Sequence, residues 1–211
     1  VDGLPHIRSW IGSQESIQKY LRGAGEGVPG ANQRRRFGRF LFASNVPVFL
    51  QKLKNKVDSL GGKAEHTFHI FATFAGGTGS GALIDVVTTI RKAYPNSEKY
   101  PIFVYGFTTD RIKDNPANPH FFFANQYAVI RDLNNLMVGD YLPQDLTEIS
   151  ETKVPNHKYI NTVYLITPQN KEDVKFEPDN QVKIVGSWVY QKVMSEVFNH
   201  IDETTLKSFT G

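Results

Sequence analysis

The sequence has no cysteine, which removes disulfides, thiolate nucleophiles and cysteine-based metal sites and fits a reducing compartment. No apolar run approaches the ~20 residues that a membrane-spanning helix needs, so no membrane segment is expected. The amino-terminal residues lack the basic, apolar and small-residue segments of a signal peptide, and a cytoplasmic location is expected. Charge of one sign is scarce as well. Twenty-four basic against 21 acidic residues leave +3, too little for long-range attraction to nucleic acid or anionic lipid. No nucleic-acid partner is expected. What is present is an apolar fraction of 40% and an aromatic fraction of 12% over 211 residues, enough for one packed domain spanning 1–211.

Apolar spacing turns helical from residue 31. Phe37, Phe40 and Leu41, then Phe49, Leu50, Leu53, Val57 and Leu60 recur at steps of three and four and predict two helices, the second stopped by Gly61-Gly62. The run Thr67 to Phe74 reads as a strand buried on both faces. Leu83, Ile84, Val86, Val87 and Ile90 mark a helix that ends at Pro95, and Pro101 to Phe107 is a second buried strand. After a long loop, Tyr127, Ile130, Leu133 and Met137 predict a helix face; Tyr159 to Ile166 is a third strand. Val182, Val185, Val189, Val193 and Val197 predict a last helix. Strands alternating with helices call for right-handed crossovers and a mainly parallel sheet in an α/β three-layer sandwich, with ligands at the carboxyl ends of the strands. The chain opens on Val1 and only three strands are readable. The domain is therefore expected to be partial, incomplete at both ends, and an internal piece of a longer protein.

The feature that carries chemistry is Gly76-Gly77-Thr78-Gly79-Ser80-Gly81, between the first strand and its helix. Glycines there let the backbone approach an anion and expose unpaired amide hydrogens, the helix dipole favours negative charge, and the hydroxyls of Thr78 and Ser80 can donate to phosphate. The alternative is a tight turn with glycines needed only for helix packing. A Walker loop would need lysine after Gly81, where Ala82 stands, and a hydrolase elbow would need glycines two residues either side of Ser80, where Thr78 and Ala82 stand. A dinucleotide fingerprint can be written as Gly77, Gly79 and Ala82, but the nearest acid after the next strand, Asp110, comes late for ribose.

The string Ala75 to Gly81, AGGTGSG, resembles the glycine signature of tubulins and FtsZ, departing by alanine in place of the first glycine. Upstream, Gly23-Ala24-Gly25-Glu26-Gly27-Val28-Pro29 resembles that family's preceding phosphate loop. Downstream, Phe176 and Asn180 match its base-stacking aromatic and the polar residue opening its central helix; Asp110 and Asn125 are candidates for the ribose, and Asn170 for the guanine edge. The resemblance covers roughly residues 20 to 203, and the family's first glycine loop and most of its carboxyl-terminal domain are absent from the chain. It implies a divergent bacterial tubulin-like protein that binds GTP or GDP with Mg²⁺ between phosphate oxygens and associates head to tail. It also implies hydrolysis completed at a subunit interface by an acidic loop, for which Asp202 and Glu203 are the candidates. Two further readings stand beside this one: a non-catalytic tubulin-like scaffold or assembly module, and a dinucleotide-binding enzyme.

Other features read as structural. Arg34-Arg35-Arg36 is expected to be a solvated helix start, Trp10 and Trp188 core or interface anchors, and His66 and His69, on opposite faces of a strand, no metal pair. Phe121 to Phe123 are expected to be part contact patch and part core.

Overall fold

A computed structural model describes residues 8–11, 13, 15, 17, 18, 31, 33–61, 64–109, 120–148, 150, 152–155, 158–172 and 174–199. The chain forms two units, 1–166 and 167–211. In the first, α1 (Arg8–Ile11), α2 (Arg35–Ala43) and α3 (Val46–Ser59) precede β1 (Phe68–Thr73), α4 (Gly77–Ala93), β2 (Ile102–Phe107), α5 (His120–Val138) and β3 (Thr162–Ile166). The second contains α6 (Pro178–Asn199).

Both predicted helices after residue 31 form. A proline in the first turn of α3 presets its backbone. Gly61 takes a left-handed φ of 97° just past its end, where a side chain would be strained. The strands pair in parallel in the order β1-β2-β3, with Ile70 opposite Val104 and Val104 opposite Val163. The α/β reading holds, and the carboxyl ends of all three strands point the same way.

One core lies between the sheet and its helices. Ile102 and Val104 of β2, Leu83, Val87 and Ile90 of α4, and Val129, Leu133 and Leu136 of α5 are buried together, with Phe49 and Leu53 of α3 packed against them. Each buried aliphatic side chain of this kind contributes about 1.5–3 kcal/mol.

Three expectations about faces need correction. β1 is buried on one face only. Phe68, Ile70 and Ala72 pack on the core, whereas Phe71 is 50% exposed and Thr73 is exposed, because β1 is the edge of the described sheet. Its outward ring stacks on Tyr105 at 4.6 Å, and Tyr105 on Tyr164 at 5.1 Å, in a cross-strand aromatic row. On α5 the buried stripe is Val129, Leu133 and Leu136, while Tyr127, Ile130 and Met137 are exposed; a helix apolar on two sides lets periodicity choose the wrong stripe. On α6, Val185 is buried but Val182 and Val193 are exposed.

Arg91, at the end of α4, is wholly buried without a carboxylate among its acceptors. Its guanidinium donates to the carbonyl oxygens of Tyr159, Tyr94 and Tyr100 and to Asn161 Oδ1, at 3.0 to 3.3 Å. Asn161 Oδ1 also accepts from the backbone N–H of Ile102 at 2.9 Å. Burial pulls the guanidinium below its ordinary pKa, and the ring of carbonyl dipoles is what keeps the charge tolerable. Arg91→Met should therefore strand these acceptors and lower stability by about 3 kcal/mol or more, read as a fall in the urea midpoint with an unchanged slope.

Candidate functional site

The glycine run sits where the sequence pattern put it. β1 ends at Thr73, Phe74 and Ala75 are buried, and α4 begins at Gly77 with Gly76 as its N-cap in extended backbone, φ −74° and ψ 162°. No side chain caps this end, and the first turn holds no acid. The last turn carries Arg91 and Lys92, which complement the opposite end of the dipole.

The glycines divide by what they touch. A Cβ on Gly77 would lie within 3.0 Å of the backbone of Gln33 and Arg34, one on Gly81 within 3.0 Å of the backbone of Arg35, and one on Gly79 at 2.6 Å from the carbonyl oxygen of Thr73. From the other side, a Cβ on Gly38 of α2 would strike the backbone of Gly77 and Thr78. Three glycines of the run are thus the seat on which α2 and the end of β1 rest. Gly76 differs: a Cβ there would meet only Thr73 Oγ1, at 3.1 Å.

The two hydroxyls also divide. Ser80 is fully buried and donates to the carbonyl oxygen of Gly76, so its single proton is held within the helix start. Thr78 is exposed, and its Oγ1 accepts from the backbone N–H of Ala31 at 3.1 Å, leaving the hydroxyl proton for another acceptor.

Around this seat the charges are paired. Arg35, a quarter exposed, donates to the carbonyl oxygen of Ser80 at 3.0 and 3.2 Å and to Asp132 of α5 at 2.6 Å. Arg39 meets Asp85 of α4 with two bonds, 2.6 and 3.0 Å, and lies 4.2 Å from the ring centre of Trp10. Asp85 is 1% exposed; burial pushes its carboxyl above the ordinary value despite the pull of Arg39. These groups line a cavity of about 460 Å³ on the flank of α4, together with Tyr141 and the exposed Arg36. The arginine run is therefore not a uniformly solvated helix start: Arg35 is a clamp and Arg36 is exposed. Two signals in the sequence could have pointed here. Gly38 lies inside a helical pattern, where glycine costs about 1 kcal/mol against alanine, and Arg35 and Arg39 share one helix face.

Asn125 is 5% exposed, and its Nδ2 donates to the carbonyl oxygens of Gln33 and Ala75, both at 2.9 Å. Gly76 to Gly81 and Asn125 are thus brought together. Asn170, Phe176 and Asn180 belong to the second unit. There Asn170 Oδ1 accepts from the backbone N–H groups of Glu172 and Val174, both at 2.9 Å, which closes a tight turn. Phe176 is half-buried and its N–H donates to Pro168 O at 2.7 Å; Asn180 is exposed in the first turn of α6. Gly23, Ala24, Gly25, Asp110, Asp202 and Glu203 lie outside the described residues. Trp10 is half-buried and donates from Nε1 to Gln144 at 3.1 Å; Trp188 is 41% exposed. Phe121 and Phe123 are exposed and Phe122 is half-buried.

The model of the tubulin-like family matches residues 2–208, and the chain belongs to that family. Among solved structures it is similar to CetZ from Methanosaeta thermophila, at 12% identity over 83% of this chain and 39% of that one, with a TM-score of 0.48. It is also similar to TubZ of Clostridium botulinum phage c-st, at 14% identity over 93% of this chain and 54% of that one, with a TM-score of 0.49. The chain thus spans 39% and 54% of the lengths of these two proteins. No curated protein matches it.

The packing of the glycines makes an exchange experiment direct. Gly77→Ala and Gly81→Ala should each cost about 2 kcal/mol or more, because an added methyl must push α2 off α4. Gly76→Ala should cost less than about 1 kcal/mol. Thermal unfolding of the three variants checks the order; equal losses would contradict it.

Proposed function

We propose that the chain is part of the nucleotide-binding region of a tubulin-like protein and holds the phosphates of GTP or GDP at the start of α4. The observation that carries this reading is the helix end itself: seventeen residues, an extended glycine N-cap without a side-chain cap, no acid in the first turn, and a position at the carboxyl end of a parallel strand. Unpaired N–H groups and the positive end of the dipole suit an anion there, and membership of the tubulin-like family agrees with it. The residues present fit a phosphate. Gly76 leaves room beside the first N–H groups, and the exposed Thr78 hydroxyl retains its proton. Mg²⁺ between the phosphate oxygens is what the family resemblance implies; among the described residues no group of three or more His, Asp or Glu side chains could hold a metal ion. The family resemblance proposes further roles residue by residue: Gly23 to Gly25 for a second phosphate loop, Asp110 for the ribose, Asn170 for the guanine edge, Phe176 for stacking on the base and Asn180 as the polar residue opening the central helix. Copies associate head to tail, which gives a filament when the contact does not close, and Asp202 and Glu203 of one copy position water at the nucleotide of the next.

A second reading has its own observation. Gly77, Gly79 and Gly81 are occupied in packing, and Ser80 bonds within the run, so the same sequence would also serve an assembly module without turnover. Calorimetric titration of GTP, ATP and NAD into the longer native protein separates the readings, followed by phosphate release and light scattering against protein concentration. GTP binding with turnover that rises with assembly is expected; GTP binding without turnover supports the assembly module, and tight NAD binding with none of GTP would sink both. If the acidic loop acts, Asp202→Ala and Glu203→Ala should each abolish turnover while GTP still binds.

A further inference from the structure

Asn125 is set in α5, whose neighbouring residues Val129, Leu133 and Leu136 are locked in the core. Its amide group has two protons, and each is given to a different chain segment: one to Gln33, just ahead of α2, and one to Ala75, just ahead of α4. Gln33 has a left-handed φ of 61°, a conformation that costs a side-chain-bearing residue energy unless its surroundings hold it. The bond to its carbonyl oxygen is such a hold. The arrangement is chemically selective. A carboxamide presents two donors in a plane, a hydroxyl has one, and a carboxylate of the same size has none and would face two carbonyl oxygens with lone pairs. Asp132 joins the same three elements through Arg35, but at 42% exposure; Asn125 does so in the interior.

We infer that Asn125 is a positioning residue that fixes the approach of α2 to the start of α4, and so holds the N–H groups at Gly76 to Thr78 in one arrangement for the phosphates of a nucleoside triphosphate, without touching the nucleotide. This rests on the nucleotide reading above and gives Asn125 a role other than contact with ribose.

The test uses Asn125→Asp, which keeps the volume and removes both donors, with Asn125→Ala beside it in case the repulsion in the first prevents folding. In the nucleotide-free protein, hydrogen exchange of the amides around Gln33 and Ala75 should quicken about tenfold or more, as expected for loss of buried bonds, while that of β2 stays as it was. Affinity for GTP and for 2′-deoxy-GTP should fall by the same factor, about ten- to a hundredfold. A loss confined to GTP would show a ribose contact and overturn the inference. Unchanged exchange would overturn the clamp, and quickened exchange with unchanged affinity would overturn its link to binding. A wild-type protein that binds no GTP would remove the nucleotide reading and the ligand half of this inference with it, while the exchange result would still decide the clamp.

Discussion

Two helices can bring their backbones into contact only where no Cβ stands between them, and that constraint governs the first unit. Gly38 of α2 meets Gly77 of α4, and Gly81 meets the carbonyl group of Arg35. Close approach puts Ala31 in reach of Thr78, lets the Arg35 guanidinium span the Ser80 carbonyl oxygen and Asp132, and brings Arg39 to Asp85. Separation of the helices by one methyl would lengthen all of these bonds together, because interiors at this packing density do not absorb volume locally. The ion pairs follow from the glycines and not the reverse: a bidentate arginine–carboxylate pair needs its geometry prepared, since burial alone disfavours both charges.

The same run can serve two purposes because its atoms point in two directions. Gly77, Gly79 and Gly81 turn their missing side chains toward protein, whereas Gly76 and the first N–H groups of α4 stand at the open end of the helix. Membership of the tubulin-like family is a statement about the whole chain, and it agrees with a parallel sheet whose strand ends share an edge. Binding of a phosphate there would meet a surface already ordered by packing, which reduces the entropy lost on binding.

Much of this was legible in the residues. The alternation of strand and helix, the glycine junction and the absence of a Walker lysine are local patterns, and local patterns report backbone preference. Helix α3 ends by Gly61, and β2 is buried throughout its core-facing residues Ile102 and Val104. The faces of α5 and β1 are not legible in the same way. A helix carrying Phe123, Tyr127 and Ile130 on one side and Val129, Leu133 and Leu136 on another has two apolar stripes, and only the neighbours select between them. An edge strand rich in aromatics looks, in one dimension, the same as a central one.

By itself, then, the sequence determined the element order, the α/β class and the presence of a glycine junction able to open a helix, because glycine content, apolar period and turn residues act over a few residues of chain. Only the tertiary structure decided what each glycine is for, that Arg35 is a clamp and not a solvated charge, and that the amide of Asn125 is shared between Gln33 and Ala75. The clamp and the shared amide depend on contacts between residues 45 to 97 positions apart, and separations of that length are set by how helices pack on a sheet, which no local pattern encodes.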